Sequence, residues 1–203
     1  MNARKALFYA LAILLGGCVP VTSIYPLYGD KDVVFDEKLL GAWTSNPDQP
    51  SEQWLFERHS DPALKNVYKL AFADTEGNKG LYQARLVKLE GKLFLDVYPQ
   101  TMPSGSDDGT NIELPLNIPF FAPVHSFTRI EIGESAVTIK MTITDEFKKL
   151  LAEHPDAIAC RQDENQILIT APTKELQAFV LKYADDEHLF PGKIELTRKA
   201  LPR

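Results

Sequence analysis

Ala136-Val137-Thr138-Ile139-Lys140-Met141-Thr142-Ile143-Thr144 is the stretch that decides the fold class. Val137, Ile139, Met141 and Ile143 fall on one side of an extended chain, and Thr138, Lys140, Thr142 and Thr144 on the other. That period of two suits an antiparallel strand with one face on a core and one in water. The same rhythm spreads outward. Tyr68, Leu70 and Phe72 share a face, as do Leu93, Leu95 and Val97. Strands are predicted near 41–45, 52–58, 67–73, 81–89, 92–98, 124–132, 136–144, 166–170 and 193–197. Glu90-Gly91 separates two of these runs and signals a tight hairpin, because glycine takes positive φ at low cost. Residues 74–80 form a longer hairpin loop. Two stretches leave the rhythm: 145–154, with Phe147, Leu150 and Leu151 at helical spacing, and 173–184, with Leu176, Phe179, Val180 and Tyr183 as an apolar stripe beginning just after Pro172. The expectation is a mostly β chain with two short helices, folded as an antiparallel barrel. Another β-rich α+β fold is the alternative.

Leu39-Leu40-Gly41-Ala42-Trp43 opens the strand series and resembles the first-strand motif of the lipocalins and related calycin barrels. Many strands, a helix and one last strand also resemble the lipocalin tail. The resemblance implies a lipocalin-like barrel closed at one end by Gly41, Trp43 and Arg198, with the arginine packed across the tryptophan. Such a cation–π contact is worth about 0.5–2 kcal/mol. The chain departs from that family in the helix expected at 145–154. The stretch from Glu175 to Phe190 further resembles uncharacterised bacterial lipoproteins.

The first residues carry a second pattern. Arg4 and Lys5 precede an uncharged run from Ala6 to Leu15. That run is too short for a bilayer core, which needs about 20 residues. It fits a secretory leader. Leu15-Gly16-Gly17-Cys18 resembles the lipobox of bacterial lipoproteins, which implies cleavage before Cys18 and a diacylglycerol thioether on it, with a further acyl chain such as palmitate on the new amine. One acyl chain holds a protein marginally and two hold it stably. Val19, where such lipoproteins carry aspartate for inner-membrane retention, points by the same resemblance to the outer membrane, facing the periplasm. The expected organisation is a removed signal peptide at 1–17, a lipidated tether leading into the fold at 18–35, and one β-rich globular domain at 36–203.

Removing residues 1–17 takes Arg4 and Lys5 from the 22 basic residues and nothing from the 28 acidic ones, so the net charge moves from −6 to −8. With no basic cluster beyond Lys148-Lys149 or Arg198-Lys199, the chain is not suited to nucleic acid. Cys160 is the only other cysteine, and with Cys18 lipidated no internal disulfide is expected. The sequence contains no nucleophile elbow, zinc-protease motif, paired C-x-x-C, P-loop or Rossmann glycine pattern. Asp107-Asp108-Gly109-Thr110-Asn111 lacks the ligand spacing and distal glutamate of a calcium loop and reads as a turn. His59, His125, His154 and His188 have no metal-ligand spacing, and His125, inside a strand, is read as a hydrogen-bonded structural residue with the option of pointing inward. No catalytic residue, cofactor or metal is therefore expected, and the protein is read as a non-enzyme.

Two roles remain: a binding module for an apolar or amphipathic small molecule, or an envelope interaction or assembly protein without a cavity. Trp54, Phe56, Tyr68, Phe72, Phe94 and Phe127 are candidates either to line a pocket or to fill it. Pro99–Phe121, rich in proline and glycine at first and apolar from Ile112, is the candidate cover for a barrel mouth.

Overall fold

The computed structural model describes residues 21–49, 51–76, 78–100, 123–164 and 166–199. In chain order these form strands β1 (Thr22–Ser23), β2 (Val33–Val34), β3 (Gly41–Thr44), β4 (Gln53–Arg58), β5 (Tyr68–Ala73), β6 (Lys79–Leu89), β7 (Lys92–Pro99), β8 (His125–Ile132) and β9 (Ala136–Met141). Helix α1 (Thr144–Glu153), strands β10 (Cys160–Gln162) and β11 (Ile167–Ile169), helix α2 (Thr173–Lys182) and strand β12 (Gly192–Arg198) follow.

The fold is mostly β and its centre is a closed, antiparallel, eight-stranded barrel. β3 to β9 form an up-and-down series in which each strand pairs with the next, and β12 closes the ring between β9 and β3. The segment between β9 and β12 leaves the barrel and supplies both helices and the β10–β11 hairpin. This hairpin adds to β1, which in turn pairs antiparallel with the start of β8. Closure removes free edges along most of the ring, the usual way a β domain avoids edge-to-edge association.

Strand parity sorts the apolar residues into two cores. Leu86, Leu95, Ile130, Ile139 and Leu196 point into the barrel with the aromatic residues of β4 and β5. Their neighbours Val87, Phe94 and Phe127 point outward and pack on Phe147 and Leu150 of α1 and Leu176, Phe179 and Val180 of α2. Both faces of β6–β8 are thus buried at these positions, one on each core. The β6–β7 turn places Glu90 at φ +47° and Gly91 at +83°, two consecutive positive values that match the twist of a tight hairpin.

The structure differs from the expected elements in three places. β9 ends at Met141 rather than Thr144, and Thr144 begins α1 with Asp145 and Glu146 in its first turn, where acidic groups suit the helix dipole. Residues 21–35, expected as tether and lead-in, belong to the folded body: Val21 and Leu27 are fully buried, β1 joins the sheet, and β2 pairs with β6. β10 had no apolar pattern to announce it.

Candidate functional site

The connections β4–β5, β6–β7 and β8–β9 lie at one end of the barrel, and that end is filled. A short 3-10 turn, Glu37–Leu39, crosses it. Leu39, Trp43, Phe56 and Tyr68 plug it from within. The Tyr68 hydroxyl donates to the Asp36 carbonyl at 3.0 Å, and burial pushes its pKa up to about 12. Trp43 is fully buried and its Nε1 donates to the Leu39 carbonyl at 2.8 Å. The Arg198 guanidinium lies 4.4 Å from the centre of the Trp43 ring and donates to the carbonyls of Leu40 (3.0 Å) and Lys38 (2.8 Å). Gly41 sits at φ +113°, a backbone conformation that calls for glycine, and a Cβ there would stand 3.0 Å from Arg198 Nη1. Gly41, Trp43 and Arg198 are therefore brought together.

The other end is hollow. A cavity of about 230 Å³ lies inside it. Trp54, Leu70 and Phe72 of β4 and β5 form one wall. Leu95 and Val97 of β7 and Ile139 and Met141 of β9 continue the apolar lining. The origin of the hollow is the divergence of β8 from β9. Their pairing reaches only Thr128–Met141, and beyond it β8 pairs with β1 through Ser126–Thr22 and His125–Ser23. The seam is thus walled by the small side chains Thr22, Ser126 and Thr128, which leave space where the closed end has tryptophan and tyrosine. Pro99 and Val124 also line it. The proposed cover and the acidic turn at 107–111 fall largely on residues 101–122, outside the described residues, as does Cys18.

The aromatic candidates divide by position. Trp54 and Phe72 line the hollow, Phe56 and Tyr68 fill the closed end, and Phe94 and Phe127 lie outside the barrel against the helices. His125 does not point inward. Ser126 and Thr128 take the interior positions of β8, so His125 faces the outer layer.

Buried carboxylates organise this end, and two of them, Asp96 and Glu52, bear on the hollow and were not among the expected residues. Asp96, on the outer face of β7, accepts the Leu27 backbone N–H at 2.9 Å and faces His125 Nδ1 at 2.7 Å. It ties the chain between β1 and β2 across the barrel wall. The Tyr98 ring packs 4.5 Å from His125, and Tyr28 lies beneath the Arg85 guanidinium at 4.9 Å. Burial raises the Tyr28 hydroxyl pKa, and the nearby Arg85 charge opposes that rise. Glu52, fully buried at the β3–β4 turn, accepts from the Thr44 hydroxyl, from the backbone N–H groups of Ser45 (2.9 Å) and Asn46 (3.3 Å), and from Trp54 Nε1 at 3.0 Å. Glu52 therefore fixes the orientation of a cavity-wall ring. Cys160 is partly buried, which pushes its thiol pKa up, away from thiolate chemistry at neutral pH.

Fold and site together define a small closed barrel that is solid at one end and hollow and apolar at the other. Comparison of the chain with protein-family models, curated proteins and solved structures finds no match.

Proposed function

We propose that the protein is an envelope lipoprotein that binds one small apolar or amphipathic molecule in its barrel, without enzymatic activity. The observation that carries this reading is the 230 Å³ apolar hollow at the open end. A void of about 150 Å³ lined by aliphatic and aromatic groups already takes benzene. Drug-sized ligands use roughly 300–1,000 Å³. The hollow therefore suits one or two fused rings or a short length of acyl chain rather than a whole phospholipid. Transfer of such a group from water gains about 0.8 kcal/mol per methylene buried.

In this reading, lipid on Cys18 holds the protein on a membrane, the outer membrane in a Gram-negative host, where apolar molecules are at hand. The motif Leu15-Gly16-Gly17-Cys18 supports it. Metabolic labelling with palmitate tests it: the wild-type chain takes up label and Cys18→Ala does not. Label retained by the variant overturns the anchor.

The barrel is tested separately on protein freed of lipid by Cys18→Ser. Naphthalene, a neutral apolar fluorophore of two fused rings, is expected to bind at one site. Val97→Trp, which fills the hollow, abolishes that binding while leaving the circular dichroism unchanged. A wild-type barrel that fails to bind the fluorophore and, by native mass spectrometry of protein from its own host, carries no small-molecule adduct refutes the binding module.

A further inference from the structure

Gly80 is a glycine that its backbone conformation does not require. It lies inside β6, where glycine weakens a strand because it packs no side chain and loses the most freedom on folding. Its φ is not positive, unlike those of Gly41 and Gly91. The place of its missing side chain is taken by the ring of Tyr82. A Cβ on Gly80 would stand 2.5 Å from the Tyr82 hydroxyl oxygen, 2.6 Å from Cε2 and 2.8 Å from Cζ. Glycine within a strand commonly marks such a close approach.

The direction of the approach bears on the hollow. Gly80 and Tyr82 share the inner face of β6, and Gly80 stands opposite Phe72, a wall residue. β6 begins at the open end, so a Tyr82 ring laid back over Gly80 leans toward the mouth. Tyr82 lines the hollow and is half-buried, with Leu70 opposite it on β5 and Pro99 on β7. The ring therefore bounds the hollow on its mouth side. A tyrosine has three staggered positions about χ1. A side chain at position 80 would close the present one, and the others carry the ring off the rim toward the hollow.

We infer that Tyr82 is the specificity-determining residue of the barrel, the stop that limits the length of the ligand. Gly80 is the positioning residue that keeps the ring at the mouth and out of the hollow. The ligand class that follows is a compact or unbranched apolar molecule whose buried part ends at the ring. This rests on the binding-module reading above and adds to it the residue that selects the ligand by size.

The test uses the Cys18→Ser chain and two probes. The first is a series of n-alkanols from hexanol to dodecanol, read by displacement of naphthalene. Affinity should rise about fourfold with each methylene buried and stop rising at the chain length that meets Tyr82. Tyr82→Phe, which keeps the ring, should level off at the same length, and Tyr82→Ala should go on rising to longer chains. The second probe is naphthalene itself. Gly80→Ala should weaken its binding about tenfold or more, the equivalent of about two methylenes left in water, with unchanged circular dichroism. The double variant Gly80→Ala/Tyr82→Ala, in which the added methyl meets no ring, should bind naphthalene as Tyr82→Ala does. A merely structural role for Gly80 would weaken binding alike with and without the ring.

If the alkanol series levels off at the same length in Tyr82→Ala and wild type, Tyr82 does not limit the ligand and this inference is wrong, although the barrel still binds. If Gly80→Ala binds naphthalene as wild type does, or fails equally in both backgrounds, Gly80 does not position the ring. Should Gly80→Ala not fold, the alkanol series in the Tyr82 variants decides alone. If naphthalene does not bind the wild-type barrel, the binding-module reading fails and this inference fails with it.

Discussion

Trp43→Ala is expected to cost about 3–5 kcal/mol, the range for truncating a fully buried aromatic side chain. Trp43 has no exposed surface, and its Nε1 hydrogen bond anchors the turn that crosses the closed end. Removing the ring empties the plug and releases Arg198 from its stacking partner. Arg198→Ala should cost less, about 1–2 kcal/mol, since it gives up the cation–π contact and leaves the Lys38 and Leu40 carbonyls to water. The two residues touch, so their effects are not additive. A double-mutant cycle by urea denaturation should return a coupling of about 0.5–2 kcal/mol. Zero coupling would mean that the stack contributes nothing.

Glu52→Ala is the second large effect, about 3 kcal/mol or more. Four donors converge on this one buried carboxylate: the Thr44 hydroxyl, two backbone N–H groups and the Trp54 indole. Truncation leaves the Ser45 N–H and the Trp54 indole without this acceptor, at about 1–3 kcal/mol for each unpaired donor, while the Thr44 hydroxyl keeps the Asn46 carbonyl (3.0 Å) and the Asn46 N–H keeps Thr44 Oγ1 (3.1 Å). Glu52→Gln retains one acceptor oxygen and should cost less than half as much. Because Trp54 lines the hollow, Glu52→Ala should also weaken binding of the neutral fluorophore in whatever fraction remains folded. A Glu52→Ala protein within 0.5 kcal/mol of wild type, as typical for surface changes, would show that the carboxylate does not organise this turn.

The barrel was legible because most of its strands carry their own alternation, as Val137, Ile139 and Met141 do. The Glu90-Gly91 hairpin was legible because its chemistry is local. The approach of Arg198 to Trp43 was suggested by a motif, and the fold supplies the geometry through the pairing of β12 with β3. What escaped was what depends on distant partners. β1 and β2 are two residues each, too short to display a period of two. On β7, Leu93, Phe94 and Leu95 are all apolar, so alternation could not say which faced the barrel and which the helices. Asp96 and Glu52 look like ordinary strand and turn residues until Leu27 and Ser45 bring their backbone N–H groups. The hollow itself is a difference in side-chain volume between two ends of one barrel, and its position depends on where β8 leaves β9.

The closing strand is also the last of the described elements in chain order. β12 ends at Arg198 and pairs with β9 and with β3, the ring's first strand, about 150 residues earlier. While the polypeptide is being made, β3 to β9 can form a curved, open sheet, but the ring cannot be completed until residues 192–198 have emerged. Loss of those few residues would leave the β3 and β9 edges unpaired on an otherwise finished domain. Completion of the barrel therefore waits for residues 192–198, and only protein that includes them has both the stacked end and the enclosed hollow.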